Sequence, residues 1–204
     1  RVSVNPKFQH RSARHAALPS ATGPAFTTLS GGALSADGRF LLFGMTDGFE
    51  MLGDTNRFLD LFVRDLVLRT NIPVTLGADG QAPTNYTALG WALSGNGRYA
   101  AYVSAPTMPP FSSGSDIRLM RRDLQTGSNE VVAISPGFIP DLGSLGGRFP
   151  IAMNADGALV AFVNPAIMNS AIKAQVYVGD MAAGTNRLVS VNRFGTGGAN
   201  ASII

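Results

Sequence analysis

A turn word that returns three times at near-equal spacing, four strand-like segments in each period, and many glycines and prolines predict an all-β chain of the β-propeller class. The word is Ser35-Ala36-Asp37-Gly38-Arg39-Phe40, then Ser94-Gly95-Asn96-Gly97-Arg98-Tyr99, then Asn154-Ala155-Asp156-Gly157-Ala158-Leu159. Asp37 to Asn96 is 59 residues and Asn96 to Asp156 is 60. The 24 glycines and 12 prolines in 204 residues call for many tight turns. With 45% hydrophobic and 14% charged residues the chain is not of the disordered class.

The elements follow in order. Val2-Ser3-Val4-Asn5 returns as Val189-Ser190-Val191-Asn192, so each reads as the last strand of a unit. Residues 6–25 carry both histidines, His10 and His15, and prolines that argue against a continuous strand. They read as a long loop, with a basic contact to an acidic partner as the functional alternative.

In the first unit, residues 28–34 form a short strand. Asp37-Gly38 supplies the positive φ of a tight hairpin. Phe40 to Met45 is a nearly continuous apolar run, as expected of a strand buried on both faces. Residues 61–66 and 72–76 are its third and fourth strands. The second unit repeats this with strands at 89–93, 99–104, 119–124 and 130–134. The third has strands at 149–153, 159–164, 175–181 and 187–191. The aspartate at the third strand's end also recurs: Asp65 to Asp123 is 58 residues, and Asp123 to Asp180 is 57.

The chain thus divides into 1–25 (end of a preceding blade plus a loop), blades at 26–85, 86–145 and 146–195, and 196–204 as the start of a further blade. Three blades with partial blades at both ends are too few to close a ring, since propellers have about four to eight. A piece of a longer protein is expected, with a leader or upstream region removed; the alternative is that copies of the chain associate to complete rings. The loops between second and third strands, 46–59, 105–117 and 164–174, differ among units and are the expected contact surface.

Candidate chemistry is sparse. Asp54, Asn56 and Asp60 place side-chain oxygens at positions one, three and seven of a loop, a spacing that suits a structural Ca²⁺. No glycine or closing glutamate completes that set, so Asx turns capping the loop are the competing reading. Asp37, Asn96 and Asp156 read as turn residues bonding their own hairpins. Asp65, Asp123 and Asp180 are expected to accept backbone N–H groups or to pair with Arg39 and Arg98 between blades, as structural contacts.

Trp91 reads as core. Pro106, Met108, Pro109 and Phe111 form an apolar loop, and Met168 sits in a similar one. Both are candidate partner-binding surfaces, with packing onto neighbouring blades as the alternative.

No nucleophile elbow, phosphate loop or His-Glu-x-x-His zinc motif occurs. The absence of cysteine excludes disulfides, thiolate metal sites and a cysteine nucleophile. The net charge of +3 carries no dense basic block, so no nucleic-acid partner is expected. No apolar run approaches the roughly 18 residues of a membrane-spanning helix.

Ser35-Ala36-Asp37-Gly38-Arg39-Phe40, Asp60-Leu61-Phe62-Val63-Arg64-Asp65, Thr126-Gly127 and Arg187-Leu188-Val189-Ser190 together resemble the TolB-like propeller repeats of bacteria. The resemblance covers nearly all of 26–204. The third unit departs with Ala158 for the turn arginine and Gly179 where Arg64 and Arg122 stand. It implies a periplasmic, cell-surface or secreted protein. The expected function is a non-catalytic scaffold contacting protein partners in a larger complex, with no cofactor beyond that Ca²⁺. The alternative is the propeller domain of a larger hydrolase whose catalytic domain lies outside this chain.

Overall fold

In a computed structural model, which describes residues 33–45, 58–77, 80, 85–106, 117–135, 149–168 and 171–195, all the regular structure is β. Sheet one contains β1 Ala33–Leu34, β2 Phe40–Met45, β3 Asp60–Asp65 and β4 Thr70–Pro73. Sheet two contains β5 Tyr86–Leu93, β6 Tyr99–Pro106, β7 Ile117–Asp123 and β8 Asn129–Ser135. Sheet three contains β9 Ile151–Met153, β10 Leu159–Met168, β11 Ala171–Asp180 and β12 Thr185–Leu188. Each is a four-stranded antiparallel meander in chain order.

The register is the same in all three. Phe40 faces Asp65, Tyr99 faces Asp123, and Leu159 faces Asp180. This equivalence makes every position comparable across the sheets.

The repeated word folds the same way each time. In the first copy Gly38 N–H donates to Ser35 O at 2.9 Å, and Gly38 takes φ 73°, which a side chain would oppose. Ser35 Oγ donates to Asp37 Oδ1 and accepts from Phe40 N. Asp37 Oδ1 also accepts from Arg39 N. Ser94 and Asn96 reproduce these bonds. In the third copy Asn154 Oδ1 takes the place of the serine hydroxyl, accepting from Leu159 N at 2.9 Å.

The sheets are joined by three repeated devices. At the turns, Ala36 N–H donates to Gly95 O and Asn96 N–H to Ala155 O, both at 2.8 Å. The aromatic ring after each turn arginine covers the next sheet's turn glycine. A Cβ on Gly97 would lie 2.3 Å from the Phe40 ring, and one on Gly157 2.4 Å from Tyr99. Near the fourth strands, Asn129 Nδ2 donates to Leu76 O and Asn186 Nδ2 to Val132 O, both at 2.9 Å.

Two apolar cores result. Leu42, Leu61, Val63 and Val74 meet Ala88, Leu93, Ala100 and Tyr102 between sheets one and two. Ala101, Val103, Leu119 and Val132 meet Phe149, Val160 and Phe162 between sheets two and three. Trp91 packs against the first core, with its ring edge over Gly44, as expected of a core residue.

Two expectations change. The ion pairs Arg39–Asp65 and Arg98–Asp123, each 2.7 Å, lie within one sheet rather than between neighbours. The reason is register: each arginine precedes the residue paired with its aspartate, so the partner is a cross-strand neighbour. The expected loop 164–174 is instead a continuation of β10 and β11, which stay paired out to Met168 and Ala171.

Candidate functional site

The faces of the second sheet are set by alternation along its strands. Leu119 belongs to the core shared with sheet three, whereas Met120 packs into the core shared with sheet one. Tyr102 pairs with Met120 and Ser104 with Arg118 across β6 and β7. Along one side of β7, Arg118, Met120 and Arg122 alternate with Leu119 and Arg121.

On this side the seam between sheets one and two opens into a cleft of about 600 Å³. Leu76 and Gly77, on the connection leaving sheet one, form one wall. Tyr86, Tyr102, Ser104 and the Arg118-Met120-Arg122 stripe form the other. Gly127, Ser128 and Asn129 line the turn end.

The cleft is rich in donors. Arg122 is 9% exposed; its Nη1 donates to Asn129 Oδ1 at 3.1 Å, and among the described residues its Nε has no hydrogen-bond acceptor. Burial pushes the Arg122 guanidinium down from its usual range, though an arginine stays charged. Burial pushes the Tyr102 phenol up to about 12, with Arg122 pulling it down and Asp60 pushing it up. Tyr102 is therefore a neutral hydroxyl across the ordinary pH range.

Arg121, on the opposite side of β7, is built into the other seam. Its Nη1 donates to Gly157 O at 2.6 Å, its guanidinium lies 4.5 Å from the Tyr99 ring centroid, and its Nη2 pairs with Glu130. That seam holds a small apolar space of about 30 Å³ lined by residues such as Val103, Leu119 and Phe162.

A second surface is open. Leu61, Leu119 and Val176 occupy one position in the three sheets and are 0%, 5% and 39% exposed. Leu159 on sheet three, and Val189 and Val191 just beyond β12, are exposed as well.

The residues singled out from sequence fall as follows. Asp60 is buried, and its Oδ1 accepts from Thr75 Oγ1 at 2.6 Å. Asp54 and Asn56 lie outside the described residues, as do Met108, Pro109 and Phe111. Pro106 ends β6 opposite Tyr86, and Met168 ends β10 opposite Ala171. Asp65, Asp123 and Asp180 each accept two backbone N–H groups on Oδ1. None of the three lines the cleft. Sequence reasoning missed Arg122, Tyr102 and the bridging asparagines. Asn71, Asn129 and Asn186 recur at 58 and 57 residues, the same spacing as the aspartates, and that signal was readable.

No protein-family model matches the chain, and no curated protein does. Solved structures do. The β-propeller domain of the trilobed protease from Pyrococcus furiosus superposes with a TM-score of 0.50 at 13% identity, over 79% of this chain and 42% of that one. The fold is a β-propeller. A dipeptidyl aminopeptidase IV-like protein from Bacteroides ovatus matches with a TM-score of 0.48 at 13% identity, over 76% of this chain and 23% of that one. An oligogalacturonate lyase from Vibrio parahaemolyticus matches with a TM-score of 0.43 at 13% identity, over 78% and 52%. This chain thus spans less than half the length of the trilobed protease propeller. At 13% identity the likeness is one of fold alone. The three sheets are propeller blades, and no helix among the described residues is long and apolar enough to cross a membrane.

Proposed function

We propose that this chain is a non-catalytic propeller scaffold of TolB-like type, with three four-stranded blades and partial blades at both ends. It mediates protein–protein contacts in an extracytoplasmic bacterial assembly. The open side of the third blade carries this reading. The position that is 0% and 5% exposed in the first two blades is 39% exposed in the third. An apolar position buried in two units and open in the third is one that a neighbouring unit would cover. The way neighbouring sheets pack within the chain points to the partner: a further four-stranded unit of the same repeat, whose turn glycine would lie under Leu159 as Gly97 lies under Phe40.

Sedimentation velocity tests it, because a second copy can supply such a unit in solution. The isolated chain should associate reversibly as concentration rises. Val176→Asp should abolish the association and leave the circular dichroism spectrum unchanged. A chain that stays monomeric into the millimolar range, or a variant that associates like the parent, would overturn the reading.

The second reading, a propeller domain of a larger hydrolase, is supported by the likeness to a protease's propeller domain. The intact mass of the native protein tests it: this reading needs a native chain long enough to carry a separate catalytic domain.

A further inference from the structure

The two seams of this propeller segment are not built alike. Position for position, Arg64, Arg122 and Gly179 are equivalent, as are Phe43, Tyr102 and Phe162. Between blades two and three the glycine admits its neighbours: a Cβ on Gly179 would lie 2.8 Å from Asn186 Oδ1 and 2.9 Å from Val132 Cγ1. Between blades one and two the same place holds a guanidinium, and the space beside it stays open.

Arg122 lacks what its neighbour on the strand has. Arg121 pairs with Glu130, whereas among the described residues Arg122 meets no carboxylate. Its Nε is buried without an acceptor. A buried charge left without a counter-ion is costly, and an unsatisfied buried donor calls for a reason. Gly127, with no side chain, stands beside Nη2, where a Cβ would lie 3.6 Å away. Arg118 follows four residues back on the same side, about 13 Å along the strand at the usual rise. Met120 and the Tyr102 ring lie between them as an apolar floor.

We infer that the cleft binds a small organic anion, a carboxylate with an apolar body, whose head the Arg122 guanidinium receives and whose body lies on Met120 and Tyr102. An arginine fork suits a carboxylate, Ser104 lines the cleft towards its Arg118 end, and the volume is in the range of small-molecule sites. This is separate from the scaffold reading, which rests on the third blade's outer side.

Isothermal titration of the chain with 3-phenylpropionate, octanoate and adipate, and with 3-phenylpropionamide as the neutral control, decides it. At least one carboxylate should bind saturably at one site, and the amide at least about tenfold more weakly. Arg122→Gln should weaken the carboxylate by about tenfold or more, while Arg64→Gln, at the equivalent place in blade one, should bind as the parent does. Should Arg122→Gln not fold, Ser104→Leu, which narrows the cleft and leaves the charge in place, serves instead and should also abolish binding. No saturable binding by any of the three acids, equal binding of acid and amide, or parental binding by the folded variant overturns the inference.

Discussion

Arg39 grips Asp65 from across the strand pair: its Nε lies 3.2 and 3.1 Å from the two carboxylate oxygens and its Nη2 2.7 Å from Oδ2. The other face of that carboxylate holds the next turn, since Oδ1 also accepts Val67 N and Leu68 N. One side chain thus ties the first hairpin of the blade to its last.

This predicts a defined acid response. Hydrogen bonds from Arg39 lower the Asp65 pKa from 3.8 to about 2, against the opposing effect of burial. The unfolded carboxyl titrates at the higher value, so its contribution is complete above about pH 4 and lost as pH falls towards 2. Asp37 is lowered too, first by the Ser35 hydroxyl and then by Arg39 N, and adds in the same direction. Asp65→Asn should lower the urea midpoint at neutral pH, and the gap should shrink as pH falls from 4 to 2. A gap that persists at pH 2 would dissociate it from the carboxylate.

The turn glycines offer a matched pair of substitutions. Gly38 and Gly97 have φ of 73° and 71°, but only Gly97 lies under a ring. Gly38→Ala should cost about 1–2 kcal/mol for the backbone alone. Gly97→Ala should cost that and more, and Phe40→Leu should relieve only the excess. Equal losses by thermal or urea unfolding would mean the ring contact contributes nothing.

Arg69 is the one non-glycine with positive φ among the described residues, at 59°, in the turn position held by Gly127 and Gly184 in the other blades. Arg69→Gly should stabilise the chain by about 0.5 kcal/mol: the relieved backbone strain exceeds the added freedom of the unfolded chain. A fall in melting temperature would show that the Arg69 side chain outweighs its backbone.

The asparagine bridges should matter at both seams. Asn129→Ala and Asn186→Ala each remove one inter-blade hydrogen bond, at about 1 kcal/mol apiece. Asn129→Ala should cost the more, because it also frees Arg122 Nη1. Denaturant titration of the two variants side by side reads the difference.

How much of this was written in the sequence depends on the range of the interaction. The Asp37 and Asn96 turns were legible because the turn serine, Asx residue and glycine bond one another within a few residues. Strand cores such as Phe40–Met45 were legible from their apolar run. The within-blade arginine pairs were half legible: the residues were recognised, but which aspartate they meet depends on register. The extension of β10 and β11 was missed because Asn164, Pro165 and Lys173 dilute the strand pattern, while pairing with each other's strand overrides that local preference. The cleft was illegible. It depends on Leu76 of one blade facing Arg122 of the next and on Gly179 closing its counterpart, and no period in the sequence encodes a gap.

The ring-on-glycine contact carries a consequence for how such a chain grows. The first two units each offer an aromatic, Phe40 and Tyr99, towards the bare turn of the unit that follows, Gly97 and Gly157. Excising the second period in frame would therefore set Phe40 over Gly157 and keep a ring on a turn glycine, whereas a cut elsewhere in the period strands an aromatic without its glycine.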